Sequence, residues 1–274
     1  MATVTINGIT IHYEEMGRGT PVVLTPGGRS GMEAVRPLAE RIAHEHRVII
    51  YDRRNCGASD VLIEGEPSEQ EIWADDLTEL LRKLDAAPAY VGGGSAGCRV
   101  SLLLAIRHPQ VVKALLLWQV TGGAVAAERL GYNYYDSFVE VAEKEGMEGV
   151  SRTPFFAERI QQNPSNRDRL LAMDAQGFIK VMRRWRTFFT ADKPVIGATE
   201  EELRRIAVPT VIIAGNDEVH PTPVAENLHR ILPDSEYHPT PWTSEEQGPE
   251  RAEKIGRIFL DFVRKVEGRV PAGS

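Results

Sequence analysis

Cysteine is nearly absent from this chain: Cys56 and Cys98 are the only two. A protein of 274 residues does not rest on one bridge, so both are read as free thiols in a reducing compartment and a disulfide scaffold is excluded. No run of about 18 apolar residues occurs, which excludes an evident transmembrane helix. The N-terminus, Met1-Ala2-Thr3-Val4-Thr5-Ile6, lacks the basic stretch and apolar segment of a secretory signal. Positive charge is not in excess, since the formal net charge is −7. There is thus no electrostatic footprint for nucleic acid or an anionic membrane. No His, Cys, Asp and Glu cluster has metal-ligand spacing, so neither a metal nor a cofactor is expected. What remains is a cytoplasmic globular protein whose partner is a small-molecule substrate, with self-association into a homo-oligomer left open.

The apolar residues make up 42% of the chain, enough for one sizeable core or for a core plus an inserted lid. Val4 and Ile6, then Ile9, Ile11 and Tyr13, alternate on either side of Asn7-Gly8, the pattern of a hairpin with a tight turn. Short apolar runs follow at Pro21–Leu24, Arg47–Tyr51, Ala89–Val91, Val111–Trp118 and Val208–Ala214. Between them lie amphipathic helical patterns. One opens at a capping box, Ser68-Glu69-Gln70-Glu71; another follows Ala96. The last carries a stripe of Ile255, Ile258, Phe259, Phe262, Val263 and Val266, after which Gly268–Ser274 reads as a frayed tail. Buried strands alternating with helices predict a mostly parallel, doubly wound α/β sheet. Residues 121–199 break that rhythm with aromatics and charge and no comparable strand. They are expected to be a helical cap inserted into a core formed by residues 1–120 and 200–274.

Chemistry is signalled most clearly at Gly93-Gly94-Ser95-Ala96-Gly97. The pattern G-x-S-x-G stands directly after a strand and directly before a helix, the context that makes it a nucleophile elbow. A serine at the apex of so sharp a turn needs neighbours almost free of side chain. The following helix N-terminus offers N–H groups to developing negative charge. The bland alternative is a glycine-rich turn with a helix-capping serine. A dinucleotide-binding turn does not fit, because no acidic residue stands about 20 positions beyond the Gly92–Gly97 stretch.

On these residues the chain resembles the α/β-hydrolase superfamily. Pro26-Gly27-Gly28 looks like the family's first glycine-rich loop, with Pro26-Gly27 where His-Gly is usual. Asp52-Arg53-Arg54-Asn55-Cys56-Gly57-Ala58-Ser59 is similar to its D-x-R-G-x-G-x-S segment. Ala214-Gly215-Asn216-Asp217 looks like the strand end that carries a catalytic acid. The resemblance implies Ser95 as nucleophile, Asp217 as acid, and the N–H groups of Gly28 and Ala96 as oxyanion hole. It also implies a histidine base after the last strand, but Pro239–Glu250 contains no histidine. His12, His44, His46, His108 and His229 read as structural. His238, at the end of the last strand, is the first choice for the base. His220, three residues after Asp217, is the second, since a base so close to its orienting acid is unusual. Arg53 and Arg54 read as partners of structural carboxylates or as groups reaching a substrate anion, and Cys98 as a core thiol. Trp118 and Trp185 are expected to line the substrate pocket.

The expected activity is serine-dependent hydrolysis of a small or medium organic ester, lactone or related carbonyl compound through an acyl-enzyme at Ser95. A ligand-binding member of the fold without turnover is the rival, motivated by the missing histidine. A carbon–carbon bond hydrolase or lyase would use the same groups.

Overall fold

The computed structural model describes residues 1–246 and 248–269; the expected tail lies outside the described residues from position 270. The first two strands, β1 (Ala2–Ile6) and β2 (Ile9–Met16), form the hairpin, with Asn7 and Gly8 both at positive φ as a tight turn of this hand requires. Six more strands complete one sheet: β3 (Pro21–Thr25), β4 (Arg47–Tyr51), β5 (Ala89–Gly94), β6 (Val112–Trp118), β7 (Thr210–Ile213) and β8 (Ser235–His238). Their order is β1-β2-β4-β3-β5-β6-β7-β8, parallel from β4 to β8. The doubly wound, mostly parallel sheet read from the sequence is the one observed.

Both faces are covered, as the all-apolar strands demand. On one face lie α2 (Glu69–Lys83), α3 (Ala96–Arg107) and α10 (Thr222–Ile231), whose Trp73, Leu77, Leu104 and Leu228 join Val23, Ile49, Val91 and Leu115 in one core. The capping box of Ser68 and Glu71 closes the start of α2 in both directions. On the other face α1 (Arg36–Ile42) and α11 (Gly248–Arg269) pack against Val22, Leu24, Ile50 and Leu116. The stripe on α11 is buried as predicted, at about 1.5–3 kcal/mol for each fully covered side chain. The helix runs on through Gly268, where fraying was expected.

Residues 121–199, between β6 and β7, hold five helices: α4 (Ala124–Gly131), α5 (Ser137–Arg152), α6 (Pro154–Gln162), α7 (Ser165–Leu171) and α8 (Ala175–Arg186). A π-helical turn, Tyr132–Asp136, joins the first two. A short helix, α9 (Glu200–Arg204), precedes β7. The insertion has its own core of Tyr135, Phe138, Phe156, Phe178, Met182 and Trp185. It is pinned to the sheet by buried bonds. Val61 N–H donates to Asn166 Oδ1 at 2.8 Å, and Arg159 Nη2 to the Arg29 carbonyl at 2.7 Å.

Candidate active site

The elbow follows from where β5 must end. Its glycines leave no room for side chains: a Cβ on Gly93 would lie 2.2 Å from Gly97, and one on Gly97 would lie 2.3 Å from the Thr25 carbonyl oxygen. The chain therefore turns directly from β5 into α3, with Ser95 at φ 54° and ψ −110°. That is a strained conformation for a residue with a Cβ, and it lifts the hydroxyl clear of both elements. Cys98 sits beneath, donating to the carbonyls of Gly93 and Trp118, and burial pushes its thiol up to about 12. It is a core thiol, as read from the sequence.

The loop between β7 and α10 supplies the partners. The Asp217 carboxylate accepts the backbone N–H groups of Val219 and His220, both at 2.9 Å, so the chain folds back over its own acid. Pro221 is the extended N-cap of α10, and Pro223 falls in its first turn. The fold-back aims the ring of His220 in two directions. Nδ1 lies 2.8 Å from Asp217 Oδ2 and 2.9 Å from Oδ1, and Nε2 lies 2.8 Å from Ser95 Oγ. With Nδ1–H donated to the carboxylate, Nε2 is left as the acceptor for the serine hydroxyl. The turn is possible because residue 215 is glycine: a Cβ there would meet His220 Cβ at 2.4 Å. Burial opposes ionisation of Asp217, yet the His220 hydrogen bond and charge and the two backbone donors outweigh it. The carboxyl is held below its ordinary value.

His238, the first choice from sequence, is not at this site. It ends the edge strand β8, where residues two apart share a face. Its Nε2 lies 2.7 Å from Glu236 Oε1, and Glu236 in turn takes Lys265 of α11. The ring is thus committed to the α11 side of the sheet, while its backbone carbonyl pairs with Ala214. The five other histidines stay away from Ser95 in every contact they make. His108, for example, caps α3 and pairs with Asp75, and His46 is buried against Tyr90 rather than at the surface.

The Gly27-Gly28 turn lies directly against the elbow: a Cβ on Gly27 would stand 3.4 Å from Ser95 Cβ. Arg53 holds this turn from behind, donating to the Gly28 carbonyl at 2.9 Å. Ala96 opens α3 directly after Ser95, and Gly28 follows Gly27 in the turn that abuts it. Tyr134, missed in the sequence, reaches over this turn from the insertion, its hydroxyl 3.6 Å from where a Gly28 Cβ would be. Of the two tryptophans, Trp118 abuts the elbow, its indole 2.3 Å from where a Gly94 Cβ would be. Trp185 is wholly buried inside the insertion, donating to the Pro67 carbonyl at 3.0 Å. Trp118 packs on Phe259 on the α11 side and lines, with Trp242 and Arg251, a cavity of about 170 Å³ there. An aromatic at a covered position fills a core or a pocket equally well, so the sequence did not separate the two roles.

Arg54 is paired with buried Asp76 through two bonds of 2.8 and 2.9 Å, a structural role. Among the described residues no group of three or more potential ligands could hold a metal ion, and no helix is long and apolar enough to cross a membrane.

Residues 20–120 match a family model described as the α/β hydrolase fold. The uncharacterized hydrolase YraK of Bacillus subtilis is 34% identical over 114 residues, 42% of each chain. A protein of Azorhizobium caulinodans provisionally named carbamate hydrolase RutD is 25% identical over 94% of this chain and 96% of its own. Among solved structures, a thermophilic esterase from Thermogutta terrifontis superposes with a TM-score of 0.65 at 21% identity, covering 96% of this chain and 97% of its own. An enol-lactonase from Burkholderia xenovorans does so with a TM-score of 0.64 at 20% identity, covering 96% and 100%.

Proposed function

Because the chain belongs to the α/β-hydrolase superfamily, we propose that it is a serine hydrolase of small or medium organic esters or lactones, with residues 121–199 as a cap over Ser95. The observation that carries this reading is the continuous hydrogen-bond chain from Ser95 Oγ through His220 to Asp217. It supplies the base whose absence after the last strand favoured a non-catalytic binder.

Ser95 Oγ attacks the substrate carbonyl carbon as its proton passes to His220 Nε2. Asp217 stabilises the imidazolium and fixes the ring. The N–H groups of Gly28 and Ala96 hold the tetrahedral oxyanion, each donor of this kind being worth about 3–4 kcal/mol. Collapse breaks the bond to the leaving oxygen, which takes the proton from His220 and departs as the alcohol. Water, deprotonated by the same nitrogen, then attacks the acyl-serine and releases the carboxylic acid. Esterase and lactonase neighbours in structure agree with this substrate class.

Steady-state and stopped-flow hydrolysis of p-nitrophenyl butyrate tests the reading. It predicts a nitrophenol burst stoichiometric with enzyme, an acyl adduct on Ser95 by intact mass, and loss of turnover in Ser95→Ala. Equal turnover by wild type and Ser95→Ala overturns it.

A further inference from the structure

Three guanidinium groups are sealed beneath the insertion, and only one has a carboxylate. Arg29 pairs with Glu69, which also takes Asn55 and the Tyr135 hydroxyl. Arg53 is 1% exposed; one of its nitrogens is spent on the Gly27-Gly28 carbonyls, while its Nε and Nη1 have no partner among the described residues. Arg99 is also 1% exposed, and both its terminal nitrogens, Nη1 and Nη2, are without a partner among the described residues. A buried cation without a counter-ion costs several kcal/mol, so a fold keeps one where something else repays it.

Arg99 and Arg53 both lie close to the elbow. Arg99 stands four residues after Ser95 on α3, one helical turn into the protein. Its side chain is fixed, since Nε donates to Gln70 Oε1 at 3.3 Å and the guanidinium lies over Phe189, 5.2 Å from the ring centroid. Phe189 packs on Tyr134, whose hydroxyl faces Gly28. Arg53 grips the other side of that same glycine turn. Both guanidinium groups thus reach the shell around the elbow, Arg53 through the Gly28 carbonyl and a stack on Trp73, 4.4 Å from the ring centroid, and Arg99 through Phe189 and Tyr134. Burial lowers the proton affinity of Arg99, and the charge of Arg53 adds to that lowering. The planar fork of a guanidinium matches the two oxygens of a carboxylate.

From the unpaired ends of Arg99 and Arg53 beside Ser95, we propose that the substrate is a carboxylate-bearing ester whose anion docks on these two arginines. This rests on the serine-hydrolase reading of Ser95. Substrate specificity then follows from charge rather than from an apolar acyl slot, and a neutral ester leaves two buried cations unpaired. Arg99 is a binding residue and takes no proton in the reaction.

The experiment compares p-nitrophenyl hemisuccinate, hemiglutarate and hemiadipate with neutral p-nitrophenyl esters of equal chain length, in wild type, Arg99→Met and Arg99→Lys. At least one hemiester is expected to exceed its neutral counterpart in kcat/KM by about tenfold or more, mainly through KM. In Arg99→Met that ratio collapses towards one, and in Arg99→Lys it is partly restored. Free glutarate and adipate are also titrated into Ser95→Ala, with melting temperature as the readout. A dicarboxylate-dependent rise there, absent from Ser95→Ala/Arg99→Met, supports the site without any turnover. Arg99→Met is expected to melt no lower than wild type, because the charge it removes is uncompensated. Turnover of neutral esters with no hemiester preference and no dicarboxylate-dependent rise overturns the anion site and leaves the nucleophile standing. Dicarboxylate-dependent stabilisation without turnover of any ester supports the site while overturning the serine-hydrolase reading.

Discussion

His220 Nε2 lies 2.8 Å from Ser95 Oγ across 125 positions of sequence, while its acid, Asp217, is only three residues away. His220 and Asp217 thus share one loop, and Ser95 alone comes from another part of the sheet. The arrangement separates the two histidine candidates cleanly. His220→Ala should lower kcat by roughly 10⁴-fold or more, as loss of a triad base does. His238→Ala should change kcat less than about twofold, because its ring pairs with Glu236, away from Ser95. Kinetics on p-nitrophenyl butyrate for both variants decide the matter; the reverse order of effects would refute the assignment.

Gly215 governs where that base points. A methyl group at this position would overlap His220 Cβ and its carbonyl oxygen, at 2.4 and 2.6 Å. Gly215→Ala should therefore push the imidazole off Ser95 and cost roughly 100-fold in kcat, the scale of an ångström-sized misplacement. The sheet itself should be untouched, so far-ultraviolet circular dichroism should overlay that of wild type.

The lowered Asp217 carboxyl fixes a pH signature. A carboxylate held more strongly in the folded than in the unfolded chain adds stability above the unfolded value, about 3.9 for Asp. That contribution is lost as pH falls through the lower folded value. The stability gap between wild type and Asp217→Asn should hence be flat from pH 8 to about pH 5, shrink near pH 4 and vanish below it. Denaturant melts across that range measure it; a gap that closes between pH 8 and 6 would contradict a carboxylate held down by His220 and the loop N–H groups.

Both thiols are shut away, with Cys98 raised to about 12 and Cys56 raised by its complete burial. Thiolate is the reactive form, so native protein at pH 8 should resist iodoacetamide. Mass spectrometry should find no adduct before unfolding and two after it.

The features legible in the sequence are those set by local geometry. The elbow at Gly93–Gly97 is written in glycines that a strand-to-helix turn requires, the start of α2 in the Ser68–Glu71 box, and the position of Asp217 in its strand end. The base was not legible, because its placement depends on an Asx-type fold-back of residues 217–220 and on how that loop meets Ser95 from across the sheet. The spacing of Asp217 and His220 held the clue, but a separation of three positions between acid and base read as too short. Trp185 was misplaced for a different reason: hydrophobic periodicity shows that a side chain is covered, not what covers it. Arg99 gave no signal, since an arginine in the first turns of an apolar helix shows its lack of a counter-ion only once the neighbours are in place.

The central claim is an activated Ser95 with His220 as its base, and a fluorophosphonate probe followed by intact-mass analysis tests it most directly. Wild type should gain one adduct that maps to Ser95, His238→Ala should label at the same rate, His220→Ala should label at least about 100-fold more slowly, and Ser95→Ala should stay unlabelled. Labelling of folded Ser95→Ala to the same extent, or full-rate labelling of His220→Ala with loss in His238→Ala, would contradict the account.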